Sequence, residues 1–284
     1  MLIIDSTDGN FINQAQNDLN TLAGMTPQAF EYTQVMGIPY GQWIQVSKGT
    51  GFNAALIARL RGAGLVAAVI DSAYVARVVM GQAGNGTSPE RTSPLHAPSL
   101  DLLRTQANIQ QRSVNEAGSS CVINWTGQPE TTANLNGLQL GGANSHIILS
   151  PCPSYICLAH ELIHADRCAR GIVDGRRTDQ LYFLIDSRPG KDLTAWATQA
   201  GKTVYQDPGT GYWYEKGSEL MEEIFTVGMP YANGAQLPAA NHLPPHPLGI
   251  TENDIRGENN IGIRLKYGNY HEGNNTSGRY IGNQ

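Results

Sequence analysis

The chain has 284 residues, of which 40% are hydrophobic, enough for one large domain or two small ones to bury a core without disulfide staples. A net charge of −5 with no polybasic tract argues against nucleic acid or an anionic membrane surface as the principal partner. With 32 glycines and 15 prolines, many loops and turns are expected.

The first five residues, Met1 to Asp5, form neither a basic region nor an apolar stretch of secretory length, so conventional signal-peptide export is not expected. Phe11, Ile12, Ala15, Leu19 and Leu22 recur at helical spacing and predict a helix over 10–22. Residues 37–51 are rich in glycine and include Tyr40 and Trp43. The Gly49-Thr-Gly51 stretch lacks the Gly-Lys-Ser/Thr that a phosphate loop requires. Helices are expected over 52–61 and 64–80, the latter broken by Asp71 and Arg77 and too short and polar to span a bilayer. Residues 81–98 read as an exposed loop. A further helical pattern covers 100–116, with Leu103, Ala107 and Val114 as its apolar positions. Residues 1–118 are thus expected to be a mainly helical scaffold belonging to the same domain as the residues that follow.

Residues 121–125 and 145–150 read as two short strands separated by a turn-rich stretch. Such a strand, where it keeps a free edge, can take an extended peptide as a further strand. His146 lies on the second strand and, with no paired ligand spacing, reads as an ordinary strand histidine. Cys121, Cys152, Cys157 and Cys168 match no zinc-cysteine module, so they are expected to be thiols. Cys157 and Cys168, although close to His160 and His164 in the chain, read as small packing residues.

Pro151-Cys-Pro breaks the strand. Ser154 is the expected N-cap of a helix running to Arg170 and stopping at Gly171. This helix carries His160-Glu161-Leu-Ile-His164. Residues four apart share a helical face, so both imidazoles point at one ion and Glu161 reaches a water beside it. The apolar neighbours Ile156, Leu158, Ala159, Leu162, Ile163 and Ala165 bury the motif, and buried polar groups need partners.

Residues 173–217 form a polar excursion that bears Trp196, Tyr205, Tyr212, Trp213 and Tyr214. It is expected to hold a hairpin whose aromatics pack locally. A tetrahedral zinc with two histidines and a water still needs one protein ligand. A helix expected over 218–228, capped by Ser218 and closed by Gly228, offers Glu219, Glu222 and Glu223. Spacing does not choose among them, since Glu219 and Glu223 would share a face and an acidic first turn also suits the helix dipole. In the connector after Gly228, His242 and His246 are four apart. Pro244, Pro245 and Pro247 forbid a regular helix there. Thr251 starts a capped helix, Arg264-Leu-Lys-Tyr267 comes after it, and residues 271–284, rich in Gly and Asn, are expected to be disordered.

His160-Glu-Leu-Ile-His164 followed by Glu222-Glu-Ile-Phe-Thr-Val-Gly228 resembles the active-site pair of clostridial neurotoxin light chains and of NleD-type effector metallopeptidases of bacteria. In those families a Thr-Glu segment is followed twelve residues on by Arg-x-x-Tyr, the interval from Glu252 to Arg264 here. The resemblance implies a single α+β zincin-like domain of the gluzincin type, with the HExxH helix beside a small mixed sheet, a catalytic core over 119–268 and a tail over 269–284. It implies one Zn²⁺ held by His160, His164 and Glu223, with Glu161 as general base. Glu222 and Glu252 would orient the ligands, Glu252 through an imidazole or Arg264, and Arg264 and Tyr267 would face the scissile carbonyl. Arg256 and Glu258 are weaker candidates.

The NleD-type resemblance implies a host intracellular signalling protein as substrate, with MAP kinases as the class cut in that family, reached through a specialised bacterial secretion system; the neurotoxin resemblance implies vesicle-fusion proteins instead. Alternatives are a binding effector with a structural zinc, and an intrabacterial toxin peptidase.

Overall fold

A computed structural model describes residues 1–24, 28–37, 41–90, 118–135, 147–174, 177–186, 190–229, 231–233 and 249–265. The helix expected over 100–116, His146, His242, His246, Tyr267 and the C-terminal tail lie outside the described residues. The fold is mixed α+β, as expected, and divides into two compact units. One comprises Met1–Pro129 with Pro153–Asp174, the other Glu130–Cys152 with Gly175–Gln284. Among the described residues no helix is long and apolar enough to cross a membrane.

The first unit contains β1 (Leu2–Ile4), α1 (Gly9–Leu22), β2 (Phe30–Gly37), β3 (Gly41–Lys48), α2 (Ala54–Arg59) and α3 (Arg61–Asp71). It continues with β4 (Ala76–Met80), β5 (Gly86–Glu90), β6 (Ser120–Trp125) and α4 (Ser154–Arg170). Its six strands lie in the order β2-β3-β1-β4-β6-β5. β1, β4 and β6 run parallel, while β2, β3 and β5 join antiparallel. Among the described residues of 1–118, the expected helices share the unit with strands of this sheet.

Three stretches carry strands that the sequence reading does not foresee. Residues 30–48 form a hairpin paired from Phe30↔Lys48 to Gly37↔Gly41; most of β2 is solvent-facing, so it lacks an apolar stripe. The run over 64–80 is two elements: α3 ends at Asp71, and residues 76–80 form a strand at the middle of the sheet. Only Ala76 and Val78 of this strand are buried, between half-buried Arg77 and Val79, and so short an alternation, following an apolar helix, cannot be told from helix by periodicity. In the expected loop over 81–98, residues 86–90 form β5, paired to β6 by main-chain bonds that Thr87, Ser88 and Pro89 do not announce. The terminal strand of this sheet is thus β5, with β6 interior.

α4 packs on β6, α3, α1 and β5. Ile156, Leu158, Ala159 and Leu162 on it have no exposed surface. Pro153 occupies the cap position in place of Ser154, and Ser154 opens the helix with its Oγ accepting from Gln14 Nε2 of α1 at 3.2 Å. Gly171, at φ 70°, closes the helix in the left-handed conformation, where a missing Cβ removes the steric cost. Ser119 N donates to Cys168 O at 3.0 Å, tying the entry of β6 to the end of α4. None of the four cysteines is in a disulfide, and all are buried.

The second unit contains the antiparallel pair β7 (Glu130–Leu135) and β8 (Ile147–Cys152). It continues with β9 (Arg177–Asp186), α5 (Thr194–Gln199), β10 (Val204–Gln206), β11 (Trp213–Leu220), α6 (Met221–Val227), β12 (Tyr231–Asn233) and α7 (Glu252–Glu258). A wholly antiparallel sheet runs β10-β11-β9-β12. The excursion over 173–217 holds the expected hairpin, β10 with β11, and its aromatics do pack locally. Trp213, Tyr214, Leu184, Ile185, Leu193 and Leu265 form one apolar cluster, with Trp196, Tyr205 and Tyr212 against it.

β11 continues through Leu220, so the helix expected from Ser218 begins only at Met221. The α6 terminus at Gly228, φ 68°, lies so close to Thr251 that a Cβ would come within 2.7 Å of its Oγ1. Thr251 in turn caps α7 in a capping box with Asp254, as the Thr251 signal predicts.

Candidate metal centre

In the first unit His160, Glu161 and His164 sit in the interior of α4, at 5%, 4% and 8% exposure. The two rings meet edge to face, with centroids 4.7 Å apart and planes at 80°. Their Nε2 atoms are 3.1 Å apart. A single hydrogen bond between imidazoles would use one as donor and the other as acceptor. Two nitrogens bound to one tetrahedral zinc at ~2.0–2.1 Å lie roughly 3.3 Å from each other. The observed separation is close to that value, so the pair fits a shared ion with little movement.

Glu161 faces strand β5. Its Oε2 accepts from Thr87 Oγ1 at 2.7 Å, and the same hydroxyl lies 3.1 Å from the Glu161 main-chain oxygen. Sequence reasoning misses Thr87 because its strand reads as loop. The signal available is only a β-branched residue between Gly86 and Pro89, too weak to mark a strand.

In the second unit Glu222 and Glu223 occupy the first turn of α6, with Glu222 buried. Glu219 is on β11, where its own Oε1 accepts from Leu220 N at 2.9 Å. The helical face expected to carry both Glu219 and Glu223 does not exist. His160 and His164 of the first unit and Glu223 of the second are candidate metal ligands, two imidazoles and one carboxylate. That is the composition of a catalytic zinc set that keeps a fourth position for water.

Glu252, at the start of α7, has no exposed surface. It accepts from Arg256 Nε at 2.6 Å and from Arg264 Nη1 at 3.0 Å. Of the two partners expected for Glu252, an imidazole or Arg264, the guanidinium is observed. Arg256, a weaker candidate on sequence, is itself fully buried. It donates further to Asn134 Oδ1 at 3.2 Å, Thr132 Oγ1 and Gly262 O at 3.3 Å, and Cys152 Sγ at 2.9 Å. One guanidinium thus joins α7, β7, β8 and the segment leading to Arg264.

The backbone of Arg264 is gripped twice by Asn253. The Arg264 N–H donates to Asn253 Oδ1 at 2.7 Å, and Asn253 Nδ2 donates to the Arg264 carbonyl at 3.0 Å. An isolated bridge to Asn134 adds a third hold. The Glu252 to Arg264 interval therefore spans a buried, hydrogen-bonded unit. Tyr267, the last member of the pattern, lies outside the described residues.

A family model described as an effector protein, Peptidase_M91, matches residues 104–267. No curated protein matches the chain. Among solved structures, the light chain of botulinum neurotoxin type G is similar at 11% sequence identity with a TM-score of 0.33, over 91% of this chain and 67% of that one.

Proposed function

Because this chain belongs to the Peptidase M91 effector family, of the NleD type, we propose that it is a zinc-dependent endopeptidase that cleaves a host intracellular signalling protein. The MAP kinase class is the first substrate class to test. A peptidase family of effectors implies a protein substrate. The observation that carries the reading is the buried His160 and His164 pair, at near-chelating separation with Glu161 between them on one helix.

In this reading His160, His164 and Glu223 hold the ion in a zincin-like domain. When bound, it supplies positive charge that lowers the pKa of a water and polarises the substrate carbonyl. Glu161 takes the proton of the attacking water and delivers it to the leaving amine as the peptide bond breaks. Arg264 and Tyr267 stabilise negative charge on the carbonyl oxygen. Glu252 holds the Arg264 guanidinium in one orientation, supported by their 3.0 Å contact, and Glu222 supports its neighbour Glu223 from the same turn.

The test is metal analysis of the purified protein, with terminal proteomics of a eukaryotic cell lysate treated with wild type or Glu161→Ala. The expected result is one zinc in both proteins and new termini only with the wild type. Absence of zinc, or termini that persist in Glu161→Ala, would sink the proposal. A Glu161→Ala protein that keeps its full cellular effect would instead favour a binding effector.

A further inference from the structure

Strand β5 precedes the residues matched by the family model, which begin at 104. It nevertheless delivers a side chain to the motif: Thr87 Oγ1 is 2.7 Å from Glu161 Oε2 and 3.1 Å from the carbonyl oxygen of the same residue. We propose that Thr87 is a positioning residue for the proton-carrying carboxylate of Glu161. The inference rests on the reading of Glu161 as general base.

Three features support it. First, Thr87 is fixed by main-chain pairing, since its register partner is Ile123 on β6, whose side chain is completely buried. The hydroxyl therefore starts from a stiff support, whereas a carboxylate on a helix side chain has three torsions of its own. Secondly, a hydroxyl has one hydrogen to give. The shorter, charge-assisted contact to the carboxylate takes it, and the carbonyl is the second acceptor within reach. Both acceptors belong to Glu161, so the hydroxyl stays over this residue whichever one it serves. Thirdly, donation to Oε2 occupies one oxygen of the carboxylate and so directs the proton taken during catalysis to Oε1. The carboxylate is then presented in one orientation, the condition under which a general base is effective.

Valine has the shape of threonine without the hydrogen bond, and serine restores the bond without the methyl group. Zinc-loaded wild type, Thr87→Val, Thr87→Ser and Glu161→Ala are incubated with a eukaryotic cell lysate, and the rate of appearance of new protein termini is followed. Zinc content and melting temperature are measured on the same preparations, with and without metal, and for the Thr87→Val/Glu161→Ala double variant. Thr87→Val is expected to produce the same termini about ten- to a hundredfold more slowly at unchanged zinc content, with Thr87→Ser within about threefold of wild type. Thr87→Val should shift the melting temperature less in the Glu161→Ala background than in the wild type, because the bond it removes is already gone.

Thr87→Val cutting at the wild-type rate would overturn the inference alone and leave the peptidase reading standing. Loss of zinc in Thr87→Val, or failure of Thr87→Ser to recover the rate, would make the residue merely structural and also overturn it. If the wild type yields no termini, the peptidase reading falls and takes the positioning role with it. The melting cycle still reports then whether the hydroxyl and carboxylate are coupled.

Discussion

In the C-terminal unit the buried carboxylate of Glu252 lies between two guanidiniums, and the deeper of these, Arg256, is enclosed by three further acceptors and a thiol. In the N-terminal unit the buried polar groups of α4 include two imidazoles whose Nε2 atoms confront each other at 3.1 Å. The first cluster combines opposite charges and is complete as protein. The second brings together two groups of the same kind, each an electron-pair donor when neutral, an arrangement that a cation stabilises and a proton serves only in part. Burial alone therefore does not distinguish a structural cluster from a functional one; the pairing of donor with acceptor does. Substitutions in the two places should accordingly fail in different ways.

The largest effect is expected at His164. In His164→Ala one of the two imidazoles is lost, so zinc content measured by atomic emission should fall from one per chain to a small fraction, and proteolysis should drop by about 10⁴-fold or more, since ligand and activated water disappear together. The fold should survive, as read by far-UV circular dichroism. A His164→Ala protein that still carries one zinc and cuts would show that the pair is ordinary core packing.

Arg256 should show the opposite pattern. Arg256→Ala removes one of two cations from a fully buried carboxylate and leaves Asn134 and Thr132 without that donor. A cost of about 3–5 kcal/mol is typical for breaking a buried pair. Urea unfolding should show that loss. Wild-type stability with a selective loss of activity would instead move Arg256 into the catalytic machinery.

The contrast also explains what is legible in the chain. HExxH can be read because its chemistry requires two residues four apart on one helix, a local constraint, and α4 runs from Ser154 to the Gly171 stop much as its signals indicate. The α7 cap is also local and equally readable, whereas the Glu252 to Arg264 interval stands out only through the family resemblance. Arg256 and Thr87 do not show their weight in sequence, because Arg256 meets Asn134, Thr132 and Cys152 across 104 to 124 residues and Thr87 meets Glu161 across 74. No sequence pattern records such a meeting. Nor does periodicity find β4 within 64–80 or β5 within 81–98: one is a five-residue strand that follows an apolar helix closely and the other is a short terminal strand of small and polar residues. Spacing leaves Glu219, Glu222 and Glu223 open as candidates, and the strand ending at Leu220 places Glu219 outside the helix.

A smaller loss is expected from Gly118→Ala. At φ 72° an added Cβ would come within 2.1 Å of the Ala169 carbonyl oxygen and 2.5 Å of the Tyr74 ring. The backbone must shift, because a carbonyl is not a flexible tip. Positive φ adds about 1 kcal/mol for alanine over glycine, so a total of roughly 2 kcal/mol is reasonable. Thermal melting would show it. If zinc content stays at wild type while stability falls, the end of α4 is mechanically separate from the histidines two turns earlier; a parallel loss of zinc would show that the helix transmits the strain to them.

The smallest effect should come from Asp18, the buried acid on α1 that sits with Gln14 and Ser154 at the start of α4. Burial raises its carboxyl above the ordinary value of 3.8, outweighing the hydrogen bonds from Ser154 and Gln14 that pull it down. Gln14 Nε2 donates to Asp18 Oδ1 at 2.9 Å, while Oδ2 is buried with no hydrogen-bond partner. A raised carboxyl value means that the folded protein holds the proton more tightly than the unfolded chain. Ionisation therefore opposes folding, fully so above the folded-state value, and the penalty disappears as the pH falls below 3.8, where both states are protonated. Asp18→Asn keeps the Oδ1 acceptor and has no charge to bury. It should raise stability at pH 7 by about 1 kcal/mol or less, with the advantage shrinking steadily as denaturation is repeated toward pH 4. An equal effect at both values would mean that the amide changes packing rather than charge. A loss at pH 7 would mean that the ionised carboxylate is stabilised at the start of α4, making Asp18 an anionic support for the motif helix.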